Sequence, residues 1–325
     1  MTPFVYATLI LSLGIGTTMT FTSTHWYLAW MGVEINTLAI IPLMANNYTP
    51  RAIEAATKYF FVQATASATL LFAATSNALL TGTWDIFQTS QNPTSTLITL
   101  ALAMKIGLAP LHSWMPEVMQ GLNLLTGLIM STWQKLAPLC LMYQIQPNTP
   151  TLFISLGILS IVVGGWGGFN QVQLRKILAY SSIAHLGWML LILSFSPPLT
   201  LITLSTYLLM TFSLFSSFIL TNTMHINTLS TSWAKIPTLT ASIPLILLSL
   251  GGLPPLTGFL PKWLILQELT KQNLSIIATL AALSSLFSLY FYLRLSYAMT
   301  LTMPPNNPLG TLPWRLTPIH STFIP

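Results

Sequence analysis

Four ionisable residues stand inside long apolar runs: Glu34 in WYLAWMGVEINTLAIIPL, Lys105 in LALAMKIGLAP, Lys135 in LLTGLIMSTWQKLAPLCLMY and Lys262 in GLPPLTGFLPKWLIL. A charged side chain at the centre of a membrane helix costs about 2.5–3.5 kcal/mol, so each needs a partner or a task. Desolvation favours the neutral form of a lysine, and a nearby carboxylate restores the charged form. A Glu–Lys pair that opens and closes is therefore a device for loading and releasing a proton. The pattern points to Glu34 paired with Lys105, and to protons passing among Lys105, Lys135 and Lys262. His112 and His185, with waters held by Ser and Thr, are candidate stepping stones. Competing readings are plainer: Lys135 and Lys262 lie nearer helix ends and could snorkel, and His185 in YSSIAHLGW could serve packing alone. Glu54 and Lys58, spaced i, i+4, read as a helix-surface pair.

Helices crossing a bilayer must position these groups. The chain of 325 residues holds only 11 Lys and Arg and 5 Asp and Glu, with 53% hydrophobic residues and a mean hydropathy of +0.70. A soluble domain carries about 25% charged residues; this chain carries 5% and reads as an integral membrane protein. Apolar segments punctuated by Pro, Asn and rare charges predict ten spans, at about 2–22, 25–45, 53–80, 95–120, 123–143, 150–170, 175–195, 199–221, 236–267 and 273–299. Continuous apolar runs without alternation predict helices and not a barrel. The N-terminal stretch has no basic region or small-residue cleavage site and reads as the first retained span. The Pro-rich stretch 300–325 reads as an irregular tail. With ten spans, the N-terminal side receives Arg51, Lys58, Arg175, Lys176, Lys235, Arg294 and Arg315, and the other side only Lys271. The N-terminal side is therefore expected to face the cytoplasm or matrix. Scattered basic residues do not suggest nucleic-acid binding. The lone Cys140 excludes an internal disulfide, and no metal, haem or iron–sulfur spacing is present.

Two distant segments match without a gap: residues 107–117 read GLAPLHSWMPE and residues 252–262 read GLPPLTGFLPK. Gly107/Gly252, Leu108/Leu253, Pro110/Pro255, Leu111/Leu256 and Pro116/Pro261 are identical, and Glu117 stands in register with Lys262. Both copies fall in long spans, where Pro and Gly break the hydrogen-bond ladder. With five spans per half, the halves must be inverted, as in transporters built from paired interrupted helices. The expected architecture is an all-α polytopic membrane protein: a first five-helix repeat over 1–145, broken near 107–117, and a second over 146–299, broken near 252–262.

The segments WYLAWMGVEINTLAIIPL, KIGLAPLHSWMPEV, RKILAYSSIAHLGWM, LSLGGLPPLTGFLPKWLILQEL and SLYFYLRLSYAMTLTMPPN resemble the NADH dehydrogenase subunit 2 family, of mitochondrially encoded vertebrate type. The resemblance runs from the first residues to about Asn307. It implies an antiporter-like, proton-translocating subunit in the membrane arm of respiratory complex I, related to Mrp cation/proton antiporters. It assigns the intramembrane Glu to Glu34, the lysine of the first broken helix to Lys105, the central lysine to Lys135 and that of the second broken helix to Lys262. It further implies the inner mitochondrial membrane, with the N-terminus in the matrix. Expected partners are other membrane-arm subunits, neighbouring antiporter-like subunits among them, and phospholipids such as cardiolipin. Flavin, iron–sulfur clusters and ubiquinone chemistry are expected on other subunits, with no cofactor on this chain. A final apolar helix, usual in animal members, is expected to be missing or divergent after about Pro308. The alternatives are a stand-alone cation/proton antiporter and a non-conducting structural subunit.

Overall fold

The structure, a computed structural model, describes residues 2–46, 48–88, 93–145, 150–234 and 236–301. The expectations about the tail and final helix fall on 302–325, outside the described residues. Among those described, the elements are helical: α1 (Pro3–Thr22), α2 (Trp26–Met44), α3 (Pro50–Thr81), α4 (Thr94–Ile106), α5 (Trp114–Gly121), α6 (Leu124–Ser131), α7 (Trp133–Ile145), α8 (Pro150–Gly167), α9 (Leu174–Leu193), α10 (Pro197–Thr221), α11 (Ile226–Ser230), α12 (Pro237–Gly251), α13 (Phe259–Lys271) and α14 (Ser275–Thr300). A short 3-10 turn over Thr231–Ala234 follows α11. Proline opens α1, α3, α8, α10 and α12, where its missing N–H costs nothing and its fixed φ suits the first helical turn.

Helices α1, α2, α8, α9, α10 and α14 are each long and apolar enough to cross a bilayer. The 32-residue α3 and the pairs α4/α5, α6/α7 and α12/α13 supply the other four crossings. The fold is thus two inverted five-helix repeats, each with a discontinuous helix. The α11 turn is an addition that the spans alone do not predict.

The repeats are built alike. In the first, α1 and α2 cross where Gly16 and Gly32 meet: a Cβ on either would lie 2.8 Å from the carbonyl oxygen of the other. In the second, α8 and α9 cross at Gly157 and Gly187, where the same distances are 3.1 and 2.8 Å. Small residues let backbones approach without a side chain between them, the main route to helix packing in lipid. Each repeat also closes a short two-strand latch. Trp26 and Ile86 donate backbone hydrogen bonds to Trp84 and Thr24 at 3.0 Å each; Leu174 and Ile226 donate to Met224 and Val172 at 3.1 and 3.2 Å. The first latch lies where α3 leaves the membrane on one face, and the second where α10 leaves it on the other.

Candidate functional site

The two breaks have the same backbone geometry. Helix α4 ends at Gly107 with φ 84° and ψ 46°, and α12 ends at Gly252 with φ 85° and ψ 42°. Both are left-handed caps, which glycine adopts without steric penalty. Lys105 sits in the last turn of α4, and Lys262 of α13 reaches back to donate from Nζ to the Gly251 carbonyl at 2.8 Å. Each cation thereby lies at the negative end of a half-helix, which favours positive charge. Trp114 holds the first break together by donating its indole N–H to the Met104 carbonyl at 3.2 Å.

At Gly252 a Cβ would stand 2.9 Å from Lys262 Cδ and 3.0 Å from its Nζ, in addition to the positive φ. Gly252→Ala is expected to lower stability by about 1–2 kcal/mol and to displace the ammonium. Gly251→Ala, whose nearest new contact would be an ordinary 3.5 Å, serves as the mild control. Thermal inactivation of the purified assembly reads the difference, and equal midpoints for the two variants would contradict it.

All three lysines are buried: Lys105 is 5% exposed, Lys135 2% and Lys262 9%. The expected Glu34–Lys105 ion pair is open. Lys105 Nζ makes no hydrogen bond, and Glu34 Oε2 instead accepts from Thr37 Oγ1 at 2.7 Å. Lys105 and Lys135 line one small cavity of about 10 Å³, together with Asn36, Thr37, Gln63 and Gln134. Asn36 is buried with both side-chain polar atoms unpaired, the condition of a site where water is held.

Lys135 follows an interruption at Thr132 that divides the fifth crossing into α6 and α7. Its Nζ donates to the Tyr207 hydroxyl at 3.0 Å and lies 5.0 Å from the centre of that ring. The Tyr207 O–H donates to the Ser131 carbonyl at 3.1 Å. His185 lies beside Tyr207, ring centres 5.5 Å apart. A second cavity of about 20 Å³ is lined by His185, Thr203, Thr206, Tyr207 and Lys262. About 10–15 Å³ admits one water, so each cavity has room for roughly one.

The groups thus fall into one line: Glu34, Lys105, Lys135, Tyr207, His185, Lys262. His112 stands apart from it. It lies in the first break, partly exposed, with Nδ1 3.3 Å from the Pro110 carbonyl and its ring 6.5 Å from Tyr180. Lys58 pairs with Glu54 at 2.8 Å and also with Glu117 at 2.9 Å, so Glu117 belongs to an exposed network at one membrane face. Sequence reasoning missed Tyr207 and the neutral polar lining. Neither carries a formal charge, and Tyr207 is one tyrosine among ten. Among the described residues no three His, Cys, Asp or Glu side chains converge as a metal site.

Glu34 also borders a groove of about 330 Å³ between α2 and α3, lined by Trp30, Leu38, Ile41 and Phe60 among others. Glu34 is half-buried, and Leu38 and Phe60 are exposed beside it.

Residues 23–288 match the family described as NADH:quinone oxidoreductase/Mrp antiporter, TM, and residues 289–325 match the one described as NADH dehydrogenase subunit 2 C-terminus. NADH-ubiquinone oxidoreductase chain 2 of Tetraodon nigroviridis is 69% identical, over 97% of this chain and 90% of its own length. A chain in the structure of respiratory complex I from Thermus thermophilus superposes with a TM-score of 0.86 at 29% identity, over 95% of this chain and 75% of that one. A chain of the Mrp complex from Dietzia sp. shares the fold, with a TM-score of 0.81 at 21% identity over 98% of this chain and 64% of that one.

Proposed function

The chain belongs to the NADH:quinone oxidoreductase/Mrp antiporter membrane family, and from that premise we propose that it translocates protons in the membrane arm of respiratory complex I. NADH oxidation and ubiquinone reduction drive it from other subunits, where flavin and iron–sulfur clusters reside. The observation that carries this reading is the buried line of proton-bearing groups from Lys105 to Lys262, which runs through both repeats with water-sized cavities at its two joints.

In this reading Glu34 and Lys105 form the loading pair. When the pair is open, as described, Lys105 can pass a proton through the first cavity to Lys135. When it closes, the carboxylate holds the charge on Lys105 and stops transfer. Lys135 hands on towards His185 and Lys262, and the carbonyl at Gly251 steadies the arriving charge. His112, in the first break, is the proposed contact with water at its own face.

A half-buried glutamate halfway along a membrane helix is untenable against lipid. The Glu34 groove therefore supports a neighbouring membrane-arm subunit as its cover. Arg51, Lys58, Arg175, Lys176 and Arg294 lie at one membrane face and Lys271 at the other, which supports the inner mitochondrial membrane with the N-terminus in the matrix. A phospholipid such as cardiolipin would meet the basic face.

The test is Glu34→Gln in the assembled complex, reconstituted in vesicles. NADH oxidation should persist, while protons moved per NADH should fall. An unchanged ratio would remove Glu34 from the pathway.

A further inference from the structure

The line of proton-bearing groups crosses from the first repeat to the second at one direct contact, Lys135 to Tyr207. Lys135 belongs to α7, while Tyr207 of α10 and His185 of α9 belong to the second repeat. The Tyr207 hydroxyl accepts from Lys135 Nζ at 3.0 Å and spends its own proton on the Ser131 carbonyl at 3.1 Å. That carbonyl ends α6 at the interruption. A backbone carbonyl accepts a hydrogen bond but does not take up a proton for onward transfer. On its other side Tyr207 lines the cavity that holds His185 and Lys262, and there a water would be a competent acceptor.

We propose that the Tyr207 hydroxyl is the proton relay between the two halves, held closed by its hydrogen bond to the Ser131 carbonyl. The proposal rests on the proton-transfer reading above. To conduct, the O–H turns from Ser131 towards the second cavity. The Lys135 ammonium then gives one proton to the Tyr207 oxygen while the original hydroxyl proton leaves to water and on to His185 or Lys262. Tyr207 stays neutral throughout, Lys135 is left as the free amine, and one proton enters the relay for each that leaves. The acceptor that holds the relay closed terminates α6. A shift at the Thr132 interruption would therefore withdraw the Ser131 carbonyl and open it. The break beside Lys135 thus acts as the latch on the hydroxyl rather than as a mere kink.

Three variants of the assembled, reconstituted complex test this, each read as protons moved per NADH. Lys135→Met sets the scale by abolishing transfer through this chain. Tyr207→Phe keeps the ring over Lys135 and removes only the oxygen. It is expected to reduce proton flux through the chain by about 10²-fold, with the double variant Tyr207→Phe/Lys135→Met no worse than Lys135→Met alone, because both act on one step. Tyr207→Ser leaves a polar-lined hole where the ring stood, large enough for water, and is expected to recover at least half of the lost flux. A purely structural role predicts the reverse order, since Phe preserves packing and Ser destroys it. Should the Phe variant fail to assemble, the Ser variant decides: pumping in it supports the relay, and silence overturns it. A Tyr207→Phe complex that pumps at the wild-type ratio, beside a Lys135→Met complex that does not, overturns the relay and leaves the wider reading intact. A Lys135→Met complex that pumps normally overturns the wider reading itself.

Discussion

Lys105→Met, in an assembled complex reconstituted in vesicles, is expected to abolish proton transfer through this chain while NADH oxidation continues. The side chain is 5% exposed, and its Nζ makes no hydrogen bond in the described geometry. Its removal therefore breaks no bond that holds the fold. Methionine is close to it in length and apolar, and a buried ammonium with no hydrogen-bond partner is itself costly to keep. The loss falls on chemistry alone. Lys105 lines the cavity that it shares with Lys135, and a thioether carries no proton. Removing a positioned proton-transfer group typically costs 10²–10⁴ in rate, so flux through the chain should fall by about 10²-fold or more. Lys105→Arg separates charge from proton transfer, because a guanidinium keeps its charge and does not release its proton in proteins. It too should fail to pump. An Arg variant that pumps normally would mean that Lys105 supplies only a fixed field.

Gly187→Val is expected to damage the protein by a different route. At Gly187 even a single Cβ would stand 2.1 Å from Ser160 Oγ, 2.8 Å from the Gly157 carbonyl oxygen and 2.8 Å from Ile161 Cγ1. The serine hydroxyl could turn aside, but the carbonyl belongs to the α8 backbone and cannot. The helices must separate, losing the close approach on which packing in lipid depends. Overpacking by one or two methyl groups usually costs about 1–3 kcal/mol, and a backbone obstacle puts this site at or above the upper end. The measurable outcome is a fall in the amount of assembled complex and a lower temperature of inactivation, with pumping lost in proportion to assembly. Normal assembly and thermal stability would show that α8 and α9 need no direct backbone contact. The contrast with Lys105→Met is diagnostic: one variant assembles and does not pump, the other pumps to the extent that it assembles.

Much of this fold could be read from the chain because lipid makes the code simple. Helix limits follow apolar runs and prolines, so the ten crossings match their expected places within a few residues. Both breaks were legible because Gly107 and Gly252 stand at one register in matching segments, and their backbone angles agree. The four intramembrane charges were legible because charge is so scarce. What escaped detection was neutral. Tyr207, Asn36, Gln63 and Gln134 build the joints of the site, yet their types recur throughout the chain and nothing local sets them apart. The interruption at Thr132 carries no Gly or Pro and lies among Ser131, Gln134 and Lys135, with nothing local to mark a break. The Glu34–Lys105 pair, expected to open and close, stands open here, because the sequence says nothing of which rotamer either side chain holds. Glu117 aligns with Lys262 in register, yet its side chain lies at the membrane face and shares Lys58 with Glu54.

The two latches have a mechanical consequence. In each repeat the start of the second helix is tied to the exit of the third, at Trp26–Trp84 in one half and Leu174–Met224 in the other. Three helices are thereby clamped into a stiff block, first by glycine contact at mid-depth and then by the latch at one face. Among the described residues the interrupted helices carry no paired backbone latch of this kind, and at Gly107 and Gly252 their ladders are already open. Compliance is therefore concentrated at the breaks, where a small force can tilt a half-helix without rupturing a continuous ladder. Each half is a rigid frame with an open ladder beside its lysine, at Gly107 near Lys105 and at Gly252 near Lys262, and the first half has a further interruption at Thr132 beside Lys135.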